Sequence, residues 1–180
     1  KATNNDISVN EYLISYLVNK GELNEKDLHT FKPGICNRLD RNTSGLIVAG
    51  KSLAGLQEMA LMFKERMMDK YYLALVEGTV KGSVTIKGYL AKDEKANKVY
   101  IGKSDKEGQY IETRYEPLKY QDNLTLLKVK LVTGKPHQIR AHLASIGHPI
   151  VGDYKYGNKK MNDKYKKQYG IESQMLHSWQ

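Results

Sequence analysis

Between Thr125 and Val132 the chain alternates: Leu127, Val129 and Leu131 are separated by Lys128 and Lys130. Period-two alternation sends the apolar side chains to one face of a strand and the lysines to the other. The segment therefore belongs to a sheet with one covered and one charged face. Residues Glu112 to Lys119 read as an antiparallel neighbour. Lys70 to Val76, KYYLALV, is a strand by its aromatic and apolar content. Residues 79–110 hold short strands and a charged hairpin, KDEKANK (92–98), expected to be solvated. Leu46 to Ala49 reads as a short buried strand, and MLHSW (175–179) begins another.

Helical spacing appears in three places. Val9, Leu13 and Leu17 recur in residues 9–19, with Tyr12 and Tyr16 beside them. In residues 53–67, Leu53, Leu56, Met59, Ala60, Phe63 and Met67 share a face, Ser52 is positioned as the N-cap, and the methionines read as core packing. A short helix is expected from His137 to Ile146, after the break Thr133-Gly134-Lys135-Pro136. Residues 147–157 form a turn-rich loop, and residues 158–170 are strongly basic. Helices interspersed with strands, without repeated βαβ alternation, predict an α+β fold. Its mixed, mostly antiparallel central sheet should be flanked by helices and loops.

Charge narrows the partner. Lys and Arg number 29 against 20 Asp and Glu, a net +9 over 180 residues. Such an excess favours a polyanion, because each neutralised phosphate releases counterions. No run of about 18 apolar residues is available to cross a membrane. The single cysteine, Cys36, cannot form an internal disulfide, which points to a reducing compartment. Cys36 reads either as a nucleophile or as a small buried hydrophobe, the second being the commoner case.

Two segments carry candidate chemistry. In RLDRNTSG, Asp40 stands between Arg38 and Arg41 in a polar turn with Thr43 and Ser44. A carboxylate beside guanidinium groups stays ionised, and the same arginines can reach phosphates. In TGKPHQIRAHL a strand ends and a helix opens near His137. Lys135 stands at that N-terminus, where free N–H groups attract anions, and Arg140 follows one turn in. Taken singly, each segment also fits an ordinary surface ion pair or a basic surface helix. Other chemistries find less support. His137 and His142 are five residues apart, so they do not share the helical face a two-histidine metal site needs. There is no GxGxxG, no Walker lysine loop and no G-x-S-x-G elbow.

Taken together, the two segments resemble the RluA-type family of RNA pseudouridine synthases, which modify ribosomal and transfer RNA. The likeness rests on NRLDRNTSGLIVAGK (37–51), KYYLALVEG (70–78), LVTGKPHQIRAHLASIGHPIVGDYKYG (131–157) and Leu176-His177-Ser178-Trp179, and it spans nearly all of residues 31–180. It departs at Asn37, where many relatives have His, and at Lys135-Pro136, where many have Arg-Thr. The resemblance implies the pseudouridine synthase fold, with residues 1–180 as one catalytic domain cut at both ends. It further implies a small RNA-binding module upstream. Asp40 takes the place of the catalytic aspartate, Tyr72 that of the tyrosine stacking on a flipped uracil, and Arg140 that of the cation paired with the aspartate. Arg38 would fill the gap left by the flipped base. RNA contacts are expected at Arg38, Arg41, Thr43, Lys70, Lys135, His137 and Gln138. The implied reaction is isomerisation of uridine to pseudouridine without cofactor or metal. The substrate is large-subunit ribosomal RNA or, as second choice, transfer RNA, and the protein is expected to be a cytoplasmic monomer without membrane attachment. The competing reading is a non-catalytic RNA-binding protein on the same scaffold.

Overall fold

The computed structural model describes residues 5–24, 26–93, 96, 98–102, 104–106 and 108–180. In chain order the elements are α1 Val9–Asn19, α2 Asp27–Thr30, β1 Gly34–Ile35, β2 Ser44–Gly45, β3 Ala49–Gly50, α3 Leu53–Lys64 and β4 Tyr71–Glu77. Then follow β5 Val84–Asp93, β6 Lys98–Gly102, β7 Gln109–Gln121, β8 Leu124–Leu131, α4 Gln138–Ser145, α5 Lys159–Tyr169 and β9 Leu176–Ser178. The chain forms two compact units, Lys1–Leu39 with Ile47–Met68, and Asp40–Leu46 with Asp69–Gln180.

In the first unit α1 starts at a reciprocal cap. Ser8 Oγ accepts the Glu11 N–H, and the Glu11 carboxylate accepts the Ser8 N–H. β1 pairs antiparallel with β3, and α3 lies against Gly50 so closely that a Cβ there would stand 2.6 Å from Leu56 Cα. Ser52 caps α3 as expected, its Oγ accepting the Gly55 N–H at 3.1 Å. The helix ends at Lys64, short of the predicted Met67. Arg66 turns left-handed (φ 56), the Met67 N–H reaches Met62 O and the Arg66 N–H reaches Phe63 O. This is a Schellman stop with arginine where glycine is usual, so composition gives no sign of it. Leu56, Met59, Met62 and Phe63 are half-buried, whereas Leu53, Ala60 and Met67 are exposed. Cys36 is half-buried.

The second unit is a seven-stranded sheet in the order β2-β9-β4-β8-β7-β5-β6. Every pair is antiparallel except β2–β9. The fold is thus the α+β, mostly antiparallel mixed sheet that the strand pattern predicts. On the covered face Tyr72, Ala74 and Val76 of β4 meet Leu127 and Val129 of β8. On the open face Lys128 and Lys130 pair with Glu116 and Asp69. α4 is buried from Gln138 to Leu143, and its Ala141 joins Leu90 and Ile111 in one apolar cluster.

One expectation fails in an instructive way, and one segment left without a structural reading takes a definite form. Leu46 to Ala49 is not a buried strand: Leu46 and Ile47 are exposed, and along the chain they lie between the two residues of β2 and the two of β3. β2 is the sheet edge: the Leu46 N–H donates to Ser178 O of β9 at 2.9 Å, and on its other side β2 has no strand of this sheet among the described residues. The basic segment is a helix, α5. Asn162 and Tyr165 face inward, Asn158 caps its start, and Gly170 (φ 70) caps its end.

Candidate active site

The carboxylate Asp40 sits at the start of a tight turn. The Thr43 N–H donates to Asp40 O at 2.9 Å, and Asn42 takes a left-handed conformation. Two ties hold this turn to the sheet. The Gln174 side chain donates to Arg41 O (2.7 Å) and Thr43 Oγ1 (3.3 Å), and Ser44 and Gly45 pair with β9. Gly45 is required there: its φ is 113, and a Cβ would lie 2.1 Å from Ser178 O.

From α4, Arg140 brings its Nη1 to 3.5 Å from Asp40 Oδ2. Its stronger partner is a residue to which the sequence assigns no role. Arg140 Nε and Nη2 donate to the two Asp153 oxygens at 2.7 and 2.9 Å. Asp153 is fully buried and also accepts the N–H groups of Lys155 and Tyr156. Burial pushes the Asp153 pKa upward, but the Arg140 hydrogen bonds and charge outweigh it, so the carboxyl stays below its usual range. Burial likewise opposes the Arg140 charge, and Asp153, then Asp40, hold the pKa above its ordinary value. A planar guanidinium suits this arrangement, with one edge closed by a bidentate carboxylate and the remaining nitrogen left for Asp40.

Tyr72 is buried on β4 opposite Ser178. Burial raises the pKa of its phenol, the hydrogen bond with Ser178 works against that, and the nearby Asp40 charge raises it further. Asp40, Tyr72 and Arg140 are therefore brought together from a turn, a strand and a helix.

His137 and Tyr156 complete the surroundings. Their Nδ1 and Oη are 2.8 Å apart, and the Tyr156 ring lies 5.1 Å from the Arg140 guanidinium carbon. Val99 N–H donates to Tyr156 Oη, and Lys98 Nζ stands 5.0 Å from the same ring. The predicted solvated hairpin thus contributes Lys98, and Val99 just beyond it, to the site's wall, because β6 runs along α4; its Glu94, Lys95 and Asn97 lie outside the described residues.

The expected RNA contacts divide. Gln138 is a correction: it is 2% exposed, and its amide is used up internally, bonded to Thr133 Oγ1, Lys135 N, Glu112 O and Thr113 Oγ1. It fastens α4 to the sheet and does not face a ligand. Thr43 is half-buried and engaged by Gln174. Lys70 and Lys135 are half-buried, and a Cβ at Gly134 would meet Lys70 Nζ at 3.2 Å, so the two flank one glycine turn. Arg41 is exposed in the Asp40 turn, and Arg38 is exposed in the first unit. Asp153 and Tyr156 had one available signal, an aspartate in an apolar, glycine-flanked stretch, PIVGDYKYG. Among the described residues no group of three or more His, Cys, Asp or Glu could hold a metal.

Comparison with known proteins identifies the family. The RNA pseudouridylate synthase family model matches residues 5–145. An uncharacterized RNA pseudouridine synthase of Aquifex aeolicus is 39% identical over 158 residues, covering 82% of this chain and 48% of that protein. Ribosomal large subunit pseudouridine synthase C of Vibrio vulnificus is 34% identical over 145 residues, covering 80% and 45%. The solved structure of human RNA pseudouridylate synthase domain containing 1 superposes with a TM-score of 0.70 at 28% identity, covering 80% of this chain and 61% of that one. The chain belongs to the RNA pseudouridylate synthase family. It spans about half the length of the curated relatives it matches.

Proposed function

We propose that this chain catalyses the isomerisation of uridine to pseudouridine in RNA, with Asp40 as the essential carboxylate. The observation that carries the reading is the Asp40–Arg140 ion pair at 3.5 Å, built on an arginine already clamped by buried Asp153. A cation fixed from behind holds the carboxylate in one place without relying on solvent. In the reaction the bond from ribose C1′ to uracil N1 breaks, the base turns, C1′ bonds to C5, and the C5 proton is lost to solvent while N1 gains one. Asp40 engages the ribose or the base during the first step. Tyr72, a neutral phenol with its ring in the site wall, receives the uracil once the base has left its stack. Arg38 fills the gap in the stack, and Arg41, Lys70 and Lys135 hold phosphates.

The net charge of +9 supports a polyanionic substrate. Large-subunit ribosomal RNA is the proposed target because the Vibrio relative carries that designation, with transfer RNA second. The proposed setting is the cytoplasm, and the proposed working form a monomer. No helix among the described residues is long and apolar enough to cross a membrane. The test is release of tritium from RNA labelled at uracil C5, using RNA from cells lacking this protein. Release is expected. Binding of RNA without release would support the non-catalytic alternative.

A further inference from the structure

His137 occupies an unusual place. It is the N-cap of α4, with φ 56 and ψ 14, a left-handed conformation adopted by few residues with a side chain. Its side chain makes no cap hydrogen bond, so helix capping does not explain its being there. Its ring is held edge-on to Tyr156 at 5.6 Å, and Nδ1 lies 2.8 Å from the phenol oxygen.

The hydrogen bonds around that oxygen fix a proton. Tyr156 Oη already accepts the Val99 N–H at 3.1 Å, and its one other hydrogen-bond partner among the described residues is His137 Nδ1. Burial, foremost, raises the Tyr156 pKa, so the phenol keeps its hydrogen at neutral pH. Burial, foremost, lowers the His137 pKa, with the charges of Asp40 and Asp153 opposing and those of Arg140 and Lys155 assisting, so the imidazole is neutral. If Nδ1 carried the imidazole proton, the phenol hydrogen would have no protein acceptor among the described residues. The satisfied arrangement has the phenol donating to a bare Nδ1, which puts the imidazole hydrogen on Nε2. That nitrogen bonds no group of the protein among the described residues.

We propose that His137 is a substrate-contacting residue that offers its Nε2–H to a carbonyl oxygen of the target uracil, and that Tyr156 is the positioning residue that fixes this tautomer. This rests on the uridine-isomerising reading of the site. A neutral donor suits a neutral carbonyl, and it takes no share of the Asp40 charge that Arg140 balances. Strain in the backbone at His137 has a use on this account: it aims a donor that an unstrained helix start would turn elsewhere.

Nitrogen-15 NMR of the full chain reads the tautomer directly, with no substrate present. Wild-type His137 should show an unprotonated Nδ1 and a protonated Nε2, and Tyr156→Phe should shift it to a tautomer mixture. An Nδ1-protonated wild type would overturn the tautomer lock. Activity reads the donor. His137→Gly suits the positive φ, so the fold should hold, as circular dichroism and melting would check, while kcat falls at least tenfold. His137→Gln restores an N–H donor and should recover most of that loss. A His137→Gly variant with wild-type kcat would overturn the contact alone. A wild-type chain that releases no tritium from any RNA would overturn the parent reading and the uracil contact together.

Discussion

Replacing Arg140 by methionine leaves two carboxylates to consider, and the structure ranks them. Asp153 is fully buried and loses two hydrogen bonds, at 2.7 and 2.9 Å. The Asp40 side chain is 25% exposed and loses one contact at 3.5 Å. Stranding a buried charge costs about 3–5 kcal/mol, and nearly all of that should come from Asp153. For a folding unit of this size each kcal/mol corresponds to about 3–4 °C, so the melting temperature should drop by about 9–20 °C. A double-mutant cycle by calorimetry assigns the cost. Adding Asp153→Leu to Arg140→Met should recover a large part of the lost stability, because both members of the buried pair are then gone. Adding Asp40→Asn should recover little. A drop below about 3 °C in Arg140→Met, or recovery by Asp40→Asn and not by Asp153→Leu, would refute the ranking.

His142 is fully buried on α4, its Nδ1 bonded to Thr113 Oγ1, and burial pushes its pKa down from 6.5 to about 4. The folded state therefore binds fewer protons than the unfolded one. Its contribution to stability is complete above pH 6.5 and is lost as pH falls towards 4, a change of about 3 kcal/mol. Chemical denaturation from pH 7 to 4.5 should show this slope in the wild type and a shallower one in His142→Gln; parallel curves would contradict it. On α5, Lys160, Lys164 and Lys167 are exposed at helical spacing and form no ion pair among the described residues. Replacing all three by glutamine should lower the slope of log affinity for RNA against log salt by about 2. An unchanged slope would place RNA away from this helix.

Much of this was legible from periodicity. Alternation in Thr125–Val132 gave β8 and its buried face, helical spacing gave α1, and β4 and α4 followed from apolar content and from the break before His137. The Asp40 turn and the Arg140 helix were legible because their residue types sit in specific local blocks. What was hidden depended on contacts distant in sequence. The cation nearest Asp153 in the chain is Lys155, and only the fold sets the carboxylate across from Arg140. Tyr156 looks like any aromatic of a loop until β6 and α4 meet around it. Gln138 reads as a polar residue beside a ligand site, yet α4 is buried on that side, so its amide serves the interior. α5 escaped because its lysines conceal the two inward residues, Asn162 and Tyr165, although Asn158 and Gly170 marked both ends.

The most direct test of the central claim is pseudouridine formation by Asp40→Asn. The amide keeps the shape of the side chain and removes its charge. Purified wild-type chain and the variant would be incubated with RNA from cells lacking the protein, and pseudouridine measured by mass spectrometry, with melting temperature as the control for folding. The account predicts formation by the wild type and none above background by an equally folded variant. A variant that forms pseudouridine at more than a small fraction of the wild-type rate would remove Asp40 from the chemistry.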